Sequence, residues 1–220
     1  MIRITDLFDL EHTIAADYLK GFEYPWEALS GIKQLIIDLG KQLDPAEYTE
    51  ISENVWVHKS AKVFPSAYIG GPCIIGPETE VRHCAFVRGS ALVGRHCVIG
   101  NSVEIKNAII FDDCQVPHFN YVGDSILGYH AHLGAGSITS NIKADKKNIL
   151  IHADEEIVTG LRKVGAMLGD WADVGSNCVL NPGVIIGRHT NIYPSSCVRG
   201  VIPADSIYKT GGVVVKKEER

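Results

Sequence analysis

The chain has 220 residues, 45% of them hydrophobic and 21% charged, with a formal net charge of −5. That apolar fraction sustains a packed core and excludes a disordered chain, and the negative balance excludes broad nucleic-acid binding, which needs a basic surface. No apolar run reaches the roughly 20 residues of a membrane span and MIRITDLFDLEH has no apolar signal core, so the sequence reads as a cytoplasmic protein without membrane contact.

Residues 1–50 read as an N-terminal helical segment. TDLFDLEHTIAADYL has the pattern of an amphipathic helix with Thr5 as its N-cap. PWEALSGIKQLIIDLGKQL opens on Pro25, where a helix tolerates proline, and repeats apolar residues at 26, 29, 32, 36, 39 and 43. Two helices packed against the first coil of the repeating domain are the expectation.

From Val57 the period changes. Apolar residues recur every sixth position at Val63, Ile69, Ile75, Val81, Val87, Val93, Ile99 and Ile105. After a five-residue step the pattern resumes at Ile110, Val116 and Val122, then at Leu127 and Leu133. A second block runs Leu168, Val174, Leu180, Ile186, Ile192 and Val198. Neither the helix period near 3.6 nor the strand period of 2 holds such a phase, whereas a hexapeptide β-helix does. Three hexapeptides make one triangular coil of about 18 residues, stacked at the strand spacing of about 4.8 Å. Residues 51–220 therefore read as an all-β solenoid, a parallel β-helix of about seven coils.

Residues 140–167 lose the phase and are expected to project as an excursion. This segment holds Lys143, Lys146, Lys147, Arg162 and Lys163, offset in part by Asp145, Asp154, Glu155 and Glu156. A long insertion in a compact domain is either functional or a solvated loop. The six cysteines form no Cys-x-x-Cys pair and read as reduced, small core fillers. The nine histidines contain no His-x4-His pair, the ligand spacing that zinc-dependent hydrolases of β-helical build would need, so no metal is expected.

In such a solenoid, residues 18 apart occupy the same corner of adjacent coils. Arg88 and Lys106 have that spacing and could together hold a phosphate or diphosphate. His118, with Tyr121 beside it, is a candidate general base, because imidazole titrates near neutral pH. Gly134, Ala135 and Gly136 allow a ligand close to backbone N–H groups, which could bind a thioester carbonyl or pantetheine amides.

The run VRGSALVGRHCVIGNSVEIKN…VPHFNYVGDSILGYHAHLGAGSITSN resembles the C-terminal left-handed β-helix domain of bacterial bifunctional UDP-N-acetylglucosamine pyrophosphorylase/glucosamine-1-phosphate N-acetyltransferase. With GLRKVGAMLGDWADVGSNCVLNPGVIIG, the solenoid is similar to the C-terminal domain of archaeal-type sugar-1-phosphate nucleotidylyltransferases with amino-sugar acetyltransferase activity. The resemblance covers roughly residues 54–210. It implies left-handed coils, a homotrimer with acetyl-CoA bound between subunits, and transfer of an acetyl group to a phosphorylated or nucleotide-linked amino sugar.

By the same resemblance, Arg88 and Lys106 contact the sugar phosphate and His118 removes a proton from the attacking amine. Tyr121 and Asn141 position the amino sugar, and Lys147 lies near the phosphate or the thioester. The Ala135 N–H, with Gly136 beside it, faces the acetyl group, and Ser176 and Lys209 contact CoA. His132 stands where bacterial members carry asparagine, at a position that helps to hold the sugar. The nucleotidyltransferase half of that family opens on an L-x-A-G-x-G-x-R loop that nothing in these 220 residues resembles, so nucleotide-sugar synthesis is not expected. The alternative is a non-catalytic sugar-nucleotide-binding or regulatory trimer.

Overall fold

The computed structural model describes residues 2–153 and 155–218. It is a left-handed β-solenoid of about eight coils. Face one carries Val55–His58, Cys73–Ile75 and Ala91–Val93, then the later halves of Glu104–Ile110 and Tyr121–Leu127, then Ala166–Leu168, Val184–Ile186 and Val201–Ile202. Face two runs from Lys62–Val63 through Gln115–His118 and His132–Leu133 to Ser206–Lys209. Face three runs from Tyr68–Ile69 through the first halves of the same two long strands to Cys197–Val198. The last coil exceeds the expected seven because the phase shortens after Val198, where Ile202 and Tyr208 take over the inward places.

The register explains the five-residue steps in the sequence. Val55 pairs with Cys73 and Cys73 with Ala91, but Ala91 pairs with Ala108 and Ala108 with Ser125. With one corner residue missing, the strand runs straight from face three into face one, giving the seven-residue strands Glu104–Ile110 and Tyr121–Leu127. Inward residues such as Ile75, Val93, Ile99, Val116, Leu133, Val174 and Ile186 are fully buried.

On face one the middle residue of each triplet, Ile74, Leu92, Ile109, Ile126, Met167 and Ile185, is buried as well. Alternation along a strand points these side chains out of the coil. The N-terminal segment packs over this outward stripe, with the helix Ile32–Gly40 against the first strands of face one and Gly40 against the Trp56 ring. Ile149 and Ile151 of the excursion are buried too. The segment thus covers a side of the solenoid and is not a plug on its first coil.

The first expected helix is broken. Ile4–Leu7 and Ala16–Leu19 are single α-helical turns, Leu10–His12 is 3₁₀, and Thr5 lies inside the first turn and does not cap it. The Asp9 carboxylate accepts from Glu11 N–H and the Thr13 hydroxyl from Ala15 N–H, so side chains compete for donors a continuous helix would use. The solenoid then fixes this path. Asp170 N–H donates to Leu7 O at 2.9 Å, and its carboxylate accepts from Asp9 N–H at 2.7 Å. Asp112 N–H donates to His12 O at 3.1 Å, and the His12 ring stacks on Tyr129 at 3.6 Å. Pro25–Gly31 is also 3₁₀, because Tyr18 Oη donates to the Ala28 carbonyl that an α-helix would keep for itself.

The excursion leaves after Ile138–Thr139 and returns at Ala166–Leu168. It folds into an antiparallel hairpin of Leu150–His152 and Glu156–Val158. Around it the coils stay stacked: Ala166 N–H donates to Ser125 Oγ and Cys178 N–H to Ser137 Oγ, each across 41 residues of sequence.

Candidate functional site

Corner hydrogen bonds place His118. Asn120, 3% exposed, turns the chain between faces two and three. Its Oδ1 accepts from His118 N–H at 3.0 Å, and its Nδ2 donates to Gly134 O at 2.8 Å and Ser137 O at 3.0 Å. Gly136, at φ 74°, donates its N–H to His118 O at 2.9 Å. The register that pairs Gln115 with His132 and Leu133 with Val174 then stacks His118, Ala135 and Ser176 at one corner of three successive coils. The imidazole of His118 is exposed and has no hydrogen-bond partner among the described residues. Ala135 N–H likewise donates to no acceptor among them.

Tyr121, on face three, begins a polar network. Asn141 Nδ2 donates to Tyr121 Oη at 3.1 Å and also to Asp124 Oδ2. Asn107 Nδ2 donates to Asp124 Oδ1 at 2.8 Å, and Lys106 Nζ lies 3.6 Å from Oδ2. Glycine at 123 lets the Tyr121 ring lie over the backbone, since a Cβ there would meet the outer atoms of that ring and push it aside. Burial, with the Asp124 charge adding to it, raises the Tyr121 phenol above its ordinary value, so it stays protonated and its O–H is free to donate to a ligand.

Arg88 and Lys106 do stack, since Ile105 pairs with Val87. Each is already engaged by an acid of this chain, Arg88 Nη1 with Glu104 at 2.7 Å and Lys106 with Asp124. His132 sits at the far end of face two from His118, with Nδ1 2.7 Å from Asp173 Oδ1. That hydrogen bond is the main cause holding the Asp173 carboxyl below its usual range. Lys209 ends the strand of the last coil and pairs with Val213 of the C-terminal hairpin. Lys147 is exposed on the excursion, its N–H donating to Asp145 Oδ1 at 3.1 Å. Lys146, Arg162 and Lys163 line an open cleft of about 650 Å³ whose floor holds Asn107 and Asp124.

The structure thus brings His118, Ala135, Gly136 and Ser176 to one corner and joins Tyr121, Asn141 and Lys106 through Asp124. It keeps His132 apart from both groups and sets Lys209 two coils beyond Gly175, next to the Ser176 end of the first. Asn107 and Asp124 escaped the sequence reading, and Asn120, which the sequence leaves beside His118 without a role, proves to be the corner's hydrogen-bonding residue. Asn107, Asp124 and Asn141 fall in register on adjacent coils, so a run of polar residues at coil spacing was the available signal. Among the described residues no three His, Cys, Asp or Glu side chains converge as metal ligands would. The cysteines divide, Cys73, Cys97, Cys114 and Cys178 being buried fillers while Cys84 and Cys197 are exposed.

Fold and site define a hexapeptide-repeat left-handed β-helix with an ionisable corner. Residues 71–160 match the family model of the GMPPB C-terminal domain. The bifunctional protein GlmU of Methanococcus aeolicus is 30% identical over 203 residues, covering 83% of this chain and 49% of that protein. The bifunctional sugar-1-phosphate nucleotidylyltransferase/acetyltransferase of Sulfurisphaera tokodaii is 32% identical over 105 residues, covering 47% of this chain and 26% of that protein. Among solved structures, a point mutant of perosamine N-acetyltransferase from Caulobacter crescentus in complex with CoA and GDP-perosamine aligns with a TM-score of 0.39 and 18% identity, over 73% of this chain and 56% of that one. The resemblance to the β-helical acyltransferase domain of the bifunctional proteins is borne out, and the chain spans about half the length of the curated relatives it matches.

Proposed function

We propose that the chain is a CoA-dependent N-acetyltransferase whose acceptor is an amino sugar bearing a phosphate or a nucleotide, and that it works in the cytoplasm as a homotrimer. The observation that carries this reading is the exposed His118 imidazole stacked one coil from the Ala135 N–H, both without a hydrogen-bond partner among the described residues. His118 takes a proton from the acceptor amine as its nitrogen attacks the thioester carbonyl. Ala135 N–H receives the developing oxyanion. The tetrahedral intermediate collapses with cleavage of the C–S bond, the electron pair leaves on CoA sulfur, and the His118 imidazolium returns the proton. Tyr121 O–H and Asn141 orient the sugar, and Ser176 and Lys209 serve the CoA side. Arg88, Lys106 and Lys147 supply positive charge around the anionic acceptor. Exposed Tyr68 and Phe86, paired on adjacent coils of face three, support self-association, because their rings form an apolar patch that a monomer leaves in water.

The test is thiol release from acetyl-CoA with glucosamine 1-phosphate and with nucleotide-linked amino sugars as acceptors. Transfer by the wild type that His118→Ala abolishes is the expected result, and equal rates would remove His118 from the mechanism. One observation favours the non-catalytic alternative: Arg88 and Lys106 are each neutralised by a carboxylate of the chain itself. Failure to bind acetyl-CoA in calorimetry, with sugar-nucleotide binding retained, would select that alternative.

A further inference from the structure

The cleft between the excursion and the segment Pro25–Gly31 has a charge pattern unlike the rest of the site. Lys146, Arg162 and Lys163 reach it from the two ends of the excursion. Among the described residues none of the three has a carboxylate partner, whereas Arg88, Lys106 and Lys143 each have one. The only acid among the described residues of the wall is Asp124, whose oxygens are taken by Asn107 and Asn141 and whose charge faces Lys106. The cleft is therefore left with three unneutralised cations. Arg162 Nε donates to Lys146 O at 3.2 Å, which ties the two ends of the excursion together and fixes the spacing of that charge.

The remaining wall is apolar. Leu29, Ile142 and Leu161 line it beside the cations. A bare phosphate needs neither a volume of about 650 Å³ nor hydrocarbon walls, whereas a ring attached to phosphates uses both. The floor is continuous with the proposed acceptor site, running from Asp124 through Asn141 to the Tyr121 hydroxyl. A sugar held at Tyr121 would extend its anionic substituent along this network into the cleft.

We propose that this cleft binds the nucleoside-diphosphate group of the acceptor, so that the preferred acceptor is a nucleotide-linked amino sugar over a sugar 1-phosphate. The diphosphate lies against Lys146, Arg162 and Lys163, and the base or ribose packs on Leu29, Ile142 and Leu161. The inference rests on the acetyltransferase reading for the identity of the sugar but not for the binding itself. CoA also carries a nucleoside diphosphate, and the Ala135–Ser176 corner where its thioester is proposed to lie is a different corner of the coil.

The experiment is calorimetric titration of the full chain with UDP, GDP, dTDP, inorganic phosphate and acetyl-CoA. It is repeated on the Arg162→Ala/Lys163→Ala double variant after thermal unfolding confirms its fold. The expected result is a nucleoside diphosphate that binds at least about tenfold more tightly than phosphate, weakened at least about tenfold in the double variant, with acetyl-CoA affinity unchanged. Nucleoside diphosphates binding no better than phosphate, or binding the double variant as well as the wild type, would overturn the assignment. So would a loss confined to acetyl-CoA, which would give the cleft to the donor. Nucleoside-diphosphate binding without acetyl transfer would sink the transferase reading and leave the cleft assignment standing. Transfer to sugar 1-phosphates with no nucleotide binding would do the reverse.

Discussion

Asn120 satisfies three backbone groups from one buried side chain, and two of them flank the residues proposed to do chemistry. Replacing it with alanine leaves His118 N–H and Ser137 O without partners, and leaves Gly134 O with the Ser137 N–H alone. Equilibrium urea unfolding of Asn120→Ala should show a loss of about 1–3 kcal/mol, the cost of unpaired buried polar groups. His118→Ala should behave in the opposite way. The side chain is exposed and unpaired, so stability should stay within about 0.5 kcal/mol while acetyl transfer falls by about 10² to 10⁴. A residue needed only for the fold would move the first measurement and not the second. Asp170 provides a pH signature. Burial raises its carboxyl above the ordinary 3.8, against the lowering effect of the Asp9 and Tyr129 N–H groups and Arg188. The folded chain therefore holds this proton more tightly than the unfolded chain, so the contribution of Asp170 falls as pH rises from about 3.8 through the raised value. Asp170→Asn removes that decline. Its melting temperature should climb more steeply than that of the wild type as pH rises from acid through the upper carboxylate range, and parallel curves would contradict the assignment.

At the scale of elements, the outward stripe on face one changes what a solenoid strand costs to alter. A side chain that points out of a β-helix ordinarily meets water, but Leu92 is fully buried under the N-terminal segment. Leu92→Ala should cost about 2–5 kcal/mol in denaturant unfolding, as a core truncation does, where a solvent-facing leucine would lose little. The sequence held this information. Face one is written as consecutive apolar triplets, Cys73-Ile74-Ile75, Ala91-Leu92-Val93 and Val184-Ile185-Ile186, while face two has pairs such as Glu80-Val81 and Asp173-Val174 with a polar outward residue. Six-residue phase was legible because every coil restates it. The broken first helix was not, because the path opened by the local Asp9 and Thr13 bonds is fixed by Asp112 and Asp170, distant in sequence from it. The His118 corner could be read from coil arithmetic. The column Asn107, Asp124 and Asn141 could be read the same way, but its link to Lys106 could not, since that depends on which cation turns inward to its neighbour.

For the whole molecule, each coil touches little beyond its two neighbours, so stability accumulates from local interfaces and the side walls decide what else the rod meets. Face one is covered by the chain itself, and face three leaves Tyr68 60% and Phe86 43% exposed. In the proposed trimer these residues face another copy. Light scattering after size exclusion should give three times the 24.0 kDa chain mass, and Phe86→Asp should shift the population toward single chains. A wild-type monomer would remove the trimer and with it any site completed between subunits.

The excursion adds a hairpin and three cleft cations inside a single coil, yet the strands on either side of it pair as if it were absent. Such a solenoid separates its chassis from its accessories. A corner loop can be lengthened, exchanged or grafted without the inward-facing residues registering the change, because neither the ladder before it nor the ladder after it shifts by a residue. Ligand preference in this architecture can then be rewritten as a cassette, one loop at a time, on a frame whose own folding instructions stay untouched.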